Sequence, residues 1–385
     1  MKKLNKVILS ITGLALLMAG CGNLQNSQLN SSDNSNNSSS KATKVQTTGQ
    51  TNNDYYQGII RNGQYQVSKA RGVNVDNETN QFDVKSFSSG LLNLSKTEFP
   101  TNKYIFQEGQ YIDSKTARQW LGRQSSNNPD GLNPPDNGQM DPNKRNPIYL
   151  QQILEQDFVT DNNNKVNLAG MSIGLGLNSV DTYTKQQYGA TYETKISQAQ
   201  DEQQGKQMAT KVLSRLRKMK GVANNTPIMI ALYRQSTPDS LVGGTFFAYA
   251  ISKSGNKLDT WHKIDQQNEV LPVVNNAKPI NADVANSFDT FRNAVKQFFP
   301  NLSGVTAQVH YENGNLAGMN ITITTQFYSE TEITSFAQFV ASEAAKDLPN
   351  KVPIQINIQS VQGMQAFVAR DAGSNGFYTH VFGSY

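Results

Sequence analysis

The sequence is poor in the residues that usually carry chemistry. It has one cysteine and three widely separated histidines, His262, His310 and His380. A lone thiol cannot close an internal disulfide, and no Cys/His spacing fits a structural zinc site. Disulfide scaffolds and zinc modules are excluded, and no metal or cofactor is expected. The only long apolar run is Val7–Met18, shorter than the roughly 20 residues that span a bilayer comfortably. A surplus of one charge is also missing. The formal charge is +5, but Lys2, Lys3 and Lys6 stand in a leader without acids, so the chain after residue 20 carries only +2. That near-neutrality argues against nucleic acid as a partner.

What is present begins at the N-terminus. Three lysines, the apolar run and the small residues Ala19 and Gly20 have the pattern of a signal peptide over residues 1–20. Leu17, Ala19 and Gly20 before Cys21 supply what a lipoprotein signal peptidase reads, and Cys21 is the thiol that takes the lipid. Each buried acyl CH₂ contributes about 0.8 kcal/mol, so two or three chains hold a protein on a membrane. The expected partner of Cys21 is therefore membrane lipid, and the expected location is the outer face of the cell membrane. Residues 21–53 are dominated by Asn, Ser, Thr and Gln and read as a tether. At about 5 to 6 Å times the square root of its length, it reaches on the order of 30 Å.

An internal repeat organises the rest. NLAGMSIGLGLN (167–178) resembles NLAGMNITITTQ (315–326), and PIMIALYRQ (227–235) resembles PIQINIQSV (353–361). Upstream of each pair an apolar stripe predicts a helix, at 149–158 and at 291–300. Between them, helices are predicted near 206–220, closed by Gly221, and around Phe336 to Leu348. Strand alternation, as in Ile354, Ile356 and Ile358 against Gln355, Asn357 and Gln359, predicts antiparallel sheets with helices on one face. The fold class is α+β in two related halves, with an N-terminal domain at 54–252 and a C-terminal domain at 253–385. A further helix is read at 86–100, capped by Ser86, and a short one at 114–122; residues 127–147 read as a long surface loop.

The first copy carries an extra segment with Tyr183, Tyr188, Tyr192 and Glu193. It is a candidate binding surface, for a peptide or an envelope polymer, although packing of a long connection is the favoured reading. Gly170-Met171-Ser172-Ile173-Gly174 matches the hydrolase pattern G-x-S-x-G, with His380 late in the chain. A nucleophile elbow needs a strand, a sharp turn and a helix, whereas Ser172 lies within strand alternation. No catalytic residue is assigned, and a cell-envelope hydrolase is kept as the alternative. The Asn/Asp clusters lack calcium-loop spacing, and the basic helix with Lys206, Lys211, Arg215, Arg217, Lys218 and Lys220 reads as a solvated face.

The segments KARGV (69–73), GLLNLSKTEFPTNKYIFQEGQYI (90–112), GLNP (131–134), NPIYLQQILEQDF (146–158), YGATYE (188–193) and PIMIALYRQ (227–235), with LMAGC at the leader, resemble the CamS family of Gram-positive lipoproteins. The resemblance implies a tandem repeat, a non-enzymatic lipid-anchored extracellular protein, and a leader that yields a short peptide pheromone. The fragment in question is the apolar piece around residues 13–20, acting on a pheromone receptor of another cell.

Overall fold

The computed structural model describes residues 45–383 except 51, 77–79, 163–164, 275–276 and 299–301. The leader, with Leu17, Ala19, Gly20 and Cys21, lies outside the described residues, as does the tether up to residue 44. Residues 45–47, expected to belong to the tether, instead form β1 (Val45–Thr47), paired with β2 (Ile59–Arg61) and thence with β3 (Gln64–Tyr65). Asn62 and Gly63 make the tight turn between β2 and β3 with positive φ.

The chain continues through α1 (Arg71–Asp76), α2 (Gln81–Ser95), β4 (Ile105–Glu108), α3 (Ser114–Leu121), β5 (Leu150–Asn162), β6 (Lys165–Leu177), β7 (Val180–Thr184), β8 (Thr191–Lys195), α4 (Gln198–Leu216), β9 (Ile228–Arg234), β10 (Thr245–Ser252) and β11 (His262–Lys263). The second half follows as β12 (Gln266–Leu271), α5 (Ala282–Phe298), β13 (Leu302–Glu312), β14 (Asn315–Thr325), α6 (Glu330–Asp347), β15 (Ile354–Ser360), β16 (Gly363–Arg370) and β17 (Tyr378–Val381).

Two six-stranded sheets have the same order, β4-β5-β6-β9-β10-β11 and β12-β13-β14-β15-β16-β17. The sequence repeat maps onto this order to the residue, since Met171 pairs with Ile228 and Met319 with Ile354. Neither sheet is purely antiparallel as expected. Helices α4 and α6 connect the inner hairpins, and a helical crossover brings the next strand in parallel, as β6·β9 and β14·β15. Because β11 pairs with β10, the first sheet runs on past Ser252, the expected boundary.

Two local expectations are corrected. Residues 149–158 lie mostly in β5 rather than a helix, so the counterpart of α5 is α3, each following the edge strand of its sheet. Both faces of β5 are covered, so its apolar residues do not alternate, and Leu150, Ile153 and Phe158 mimic a helical stripe. Helix α2 starts a turn before Ser86, at Gln81, because Asn80 caps it by accepting from Phe82 N–H. Ser86 lies inside it and donates to Phe82 O at 2.8 Å.

Helices α3 and α4 cover one face of the first sheet, with Trp120, Met208, Val212 and Leu216 against Met171, Ile173, Ile230 and Leu232. Helix α2 covers the other, packing Phe87 and Leu91 on Ala231, Tyr233 and Phe246. In the second half α5 and α6 cover one face with Phe288, Phe291, Phe336 and Val340. The other face carries alternating polar residues and, among the described residues, no helix.

This difference is written into the repeat. On the α2 face β6 presents Gly170, Ser172, Gly174 and Gly176, where β14 presents Gly318, Asn320, Thr322 and Thr324. A methyl on Gly170 would meet the Phe99 ring at 2.0 Å, and one on Gly174 would meet Phe87 at 2.8 Å. At Gly318 the nearest atom is Pro353 O at 3.8 Å. Overpacking a close-packed site costs about 1–3 kcal/mol. Gly170→Ala should therefore lower the unfolding free energy by about that amount, while Gly318→Ala at the repeat-equivalent position stays within about 0.5 kcal/mol of the parent in denaturant titrations.

Candidate functional site

The buried carboxylate of Asp83 positions one wall of a broad cleft. It accepts from Tyr233 Oη–H at 2.5 Å, Gly244 N–H at 2.6 Å and the Ser236 hydroxyl at 2.8 Å. Asn80 Nδ2 donates to Thr237 O and Ser240 O, both at 2.9 Å. The start of α2 is thereby tied to the loop between β9 and β10. From the second sheet two amides reach that loop: Asn268 Nδ2 donates to Gly243 O at 2.8 Å, and Gln308 Nε2 to Leu241 O at 2.6 Å.

Between α2 and the open face of the second sheet lies a cavity of about 1180 Å³. Its helix wall carries Lys85, Ser89 and Asn93, and its sheet wall Gln308, Asn320 and Gln355. Lys85 and Lys263 are balanced by Asp265 and Glu312. His310 stands at one end, its Nδ1 2.6 Å from Asn268 Oδ1 and its Nε2 3.3 Å from Glu312 Oε1. Because the Asn268 amide nitrogen is turned to Gly243, Nδ1 of His310 is the donor in the first contact. The cleft presents hydrogen-bonding groups of both senses and little net charge, a surface for holding a polar ligand.

The residues singled out in the sequence lie elsewhere. Ser172 is fully buried, with its Oγ 2.7 Å from Ser95 Oγ, while His380 is on β17 of the other sheet. The G-x-S-x-G match belongs to the strip on which α2 sits, and no substrate reaches that hydroxyl. Tyr183, Tyr192 and Glu193 lie on the β7–β8 hairpin and Tyr188 in its connecting loop. Tyr183 donates to Met140 O at 2.8 Å and lies under the Arg145 guanidinium at 3.9 Å. Arg145 in turn pairs with Asp181 at 2.6 Å, fastening the 127–147 loop to the hairpin. Tyr192 is partly exposed under Lys185, Glu193 is exposed, and Tyr188 is 97% exposed with φ of 60°. The four residues thus divide between packing and solvent, and none of them lines the cleft. Three cations of the basic helix region are engaged: Lys206 pairs with Glu202 at 2.5 Å, Arg217 donates to Gly255 O at 2.7 Å and Thr226 O at 2.6 Å, and Arg215 donates to Asp130 O at 2.7 Å. Among the described residues no group of three or more His, Cys, Asp or Glu is placed to hold a metal, and no helix is long and apolar enough to cross a membrane.

A buried acid pair is not apparent from the sequence. Glu155 on β5 accepts from the consecutive N–H groups of Gln110, Tyr111 and Ile112 at 3.0, 2.9 and 2.7 Å. Asp157, two residues on, accepts from Gln110 N–H at 3.0 Å through one oxygen, and its Oδ1 faces no donor. Burial first, then the Glu155 charge, raise the Asp157 carboxyl well above the usual carboxylate range. The pair is buried and fastens the β4–α3 corner.

Two six-stranded sheets of the same strand order, with a cleft of little net charge between α2 and the second sheet, define the class of fold. The sequence model described as CamS sex pheromone cAM373 precursor matches residues 65–376. The crystal structure of a sex pheromone precursor from Lactobacillus salivarius subsp. salivarius is similar at 51% identity, with a TM-score of 0.86, covering 89% of this chain and 100% of that one. The C-terminal domain of the sex pheromone staph-cAM373 precursor from Staphylococcus aureus is similar at 30% identity, with a TM-score of 0.68, over 80% of this chain and 99% of that one. No curated protein matches. The chain belongs to the CamS family of sex pheromone precursors.

The acid pair sets a pH dependence. A folded-state carboxyl raised above its unfolded value of 3.8 contributes stability that is full below that value and drains as the pH rises. Asp157→Asn, which keeps a donor beside Glu155, should lose less stability than the parent as the pH rises above 3.8, measured by denaturant unfolding across a pH series.

Proposed function

We propose that this protein is exported, cut before Cys21, and held by acyl chains on that cysteine at the outer face of the cell membrane. There its folded part binds an envelope ligand and performs no catalysis. The observation that carries the anchoring is the sequence Leu17-Met18-Ala19-Gly20-Cys21 with no second cysteine for that thiol to pair with. The binding role rests on the cleft between α2 and the second sheet, which offers donors and acceptors without an activated nucleophile.

The leader has a role of its own. After cleavage the segment Gly13–Gly20 is a small apolar peptide without charged side chains, suited to a hydrophobic receptor pocket on another cell. The description of the family, and of both solved relatives, as pheromone precursors supports this reading.

Cells grown with an alkyne-bearing palmitate should label the parent protein and leave Cys21→Ser unlabelled; an unlabelled parent contradicts the anchor. Mass spectrometry of culture supernatant should find a fragment from within residues 13–20, and its absence contradicts the pheromone.

A further inference from the structure

The open face of the second sheet has a composition that a merely solvated face does not need. In antiparallel and mixed sheets, residues directly opposite each other share a face. One row across the strands is therefore Gln308, Asn320 and Gln355, and the next is Thr322, Asn357 and Phe367. The rows are joined by Asn357 Nδ2, which donates to Asn320 Oδ1 at 2.9 Å. These six positions include no Asp, Glu, Lys or Arg, in a chain where 17% of residues are charged. Solvated faces are normally dressed with charge of both signs.

The first row lines the cleft and the second continues it into the open. The amide of Gln355 makes no hydrogen bond among the described residues, and Asn357 Oδ1 and Asn320 Nδ2 are left for a ligand. At the far end the half-buried Phe367 ring presents itself edge to face with Tyr378, centroids 6.0 Å apart. His380, opposite Phe367 on β17, is exposed. Planar amides and hydroxyls with paired donors and acceptors match the hydroxyl groups of a sugar, and an aromatic ring matches the C–H face of a pyranose. A polyanion finds no cation along the rows. A peptide strand added at an edge would use backbone groups there, leaving this face unused.

We infer that this face, from the cleft to Phe367, binds an uncharged polyhydroxylated chain, a neutral glycan. The inference rests on the folded part having a binding role and names the class of its ligand. The first half fills the same face with α2; the second leaves it to the glycan.

The test is calorimetric titration of the full mature chain with maltohexaose, cellohexaose and chitohexaose, and with poly(glycerol phosphate) and a mixed peptide digest. The expected result is saturable binding of at least one hexasaccharide, insensitive to salt and weakened about tenfold or more by Asn357→Ala and by Phe367→Ala, each with unchanged thermal unfolding. Loss of an aromatic or hydrogen-bonded contact of about 1.4 kcal/mol corresponds to that factor. Binding of poly(glycerol phosphate) or peptide alone, no binding of any probe, or hexasaccharide binding that neither variant weakens would overturn it. Ser89→Trp, which fills the cleft from the helix side, separates the two readings. If it abolishes binding of the peptide digest while no hexasaccharide binds, the cleft stands and the glycan falls. If hexasaccharides bind and only the sheet variants weaken them, the glycan stands on the open face and the cleft reading falls.

Discussion

Close approach of α2 and the Phe99 ring to the small-residue strip of β6 is the constraint on which the rest depends. Gly170, Gly174 and Gly176 give up side chains and Ser172 keeps a small one, so that Phe87, Leu91 and Phe99 can reach the sheet. The aromatic contacts that result, Phe99 stacked on Phe158 at 4.4 Å and Phe87 tilted against Tyr233 at 4.8 Å, close the second face of the first half. Once α2 is seated there, its outer side becomes a wall of the cleft, and Asp83 and Asn80 hold that wall to the loop from which the second half hangs. The bare face of the second sheet follows from the same positions, where Asn320, Thr322 and Thr324 stand in place of small residues.

Much of this architecture is legible in the amino-acid sequence. The duplication is visible because both copies keep the strand that follows NLAGM and the Pro-Ile strand that pairs beside it. The alternation of Ile and Gln in β15 announces one buried and one polar face. What misleads is coverage on both sides. In β5 a strand with two buried faces loses its period of two, so Leu150, Ile153 and Phe158 imitate a helix. The Gly-Ser-Gly spacing in β6 imitates a nucleophile motif for a related reason, since small residues at alternate positions serve packing on one face of a strand.

The candidate site is less legible. Lys85, Asn268, Gln308 and Gln355 come from segments far apart in sequence; sheet register aligns the last three, and the seating of α2 brings Lys85 to the same cleft. The acid pair of Glu155 and Asp157 is hidden because two acids two residues apart in a chain are ordinary. Their burial depends on the Gln110–Ile112 amides arriving from another strand's end. The tyrosine-rich insertion is recognisable as an insertion, but its division into a packed Tyr183 and an exposed Tyr188 depends on Arg145 and the 127–147 loop.

The central claim is that equivalent faces of two related sheets are closed in one half and open in the other. The natural chain has a single cysteine, so in a Cys21→Ser background one introduced thiol can be read without interference. Maleimide labelling of Asn320→Cys should be fast in the folded protein, while Ser172→Cys, at the equivalent position, should label only on unfolding. Equal protection of the two thiols would contradict the account, because it would mean that the second face is covered as the first is.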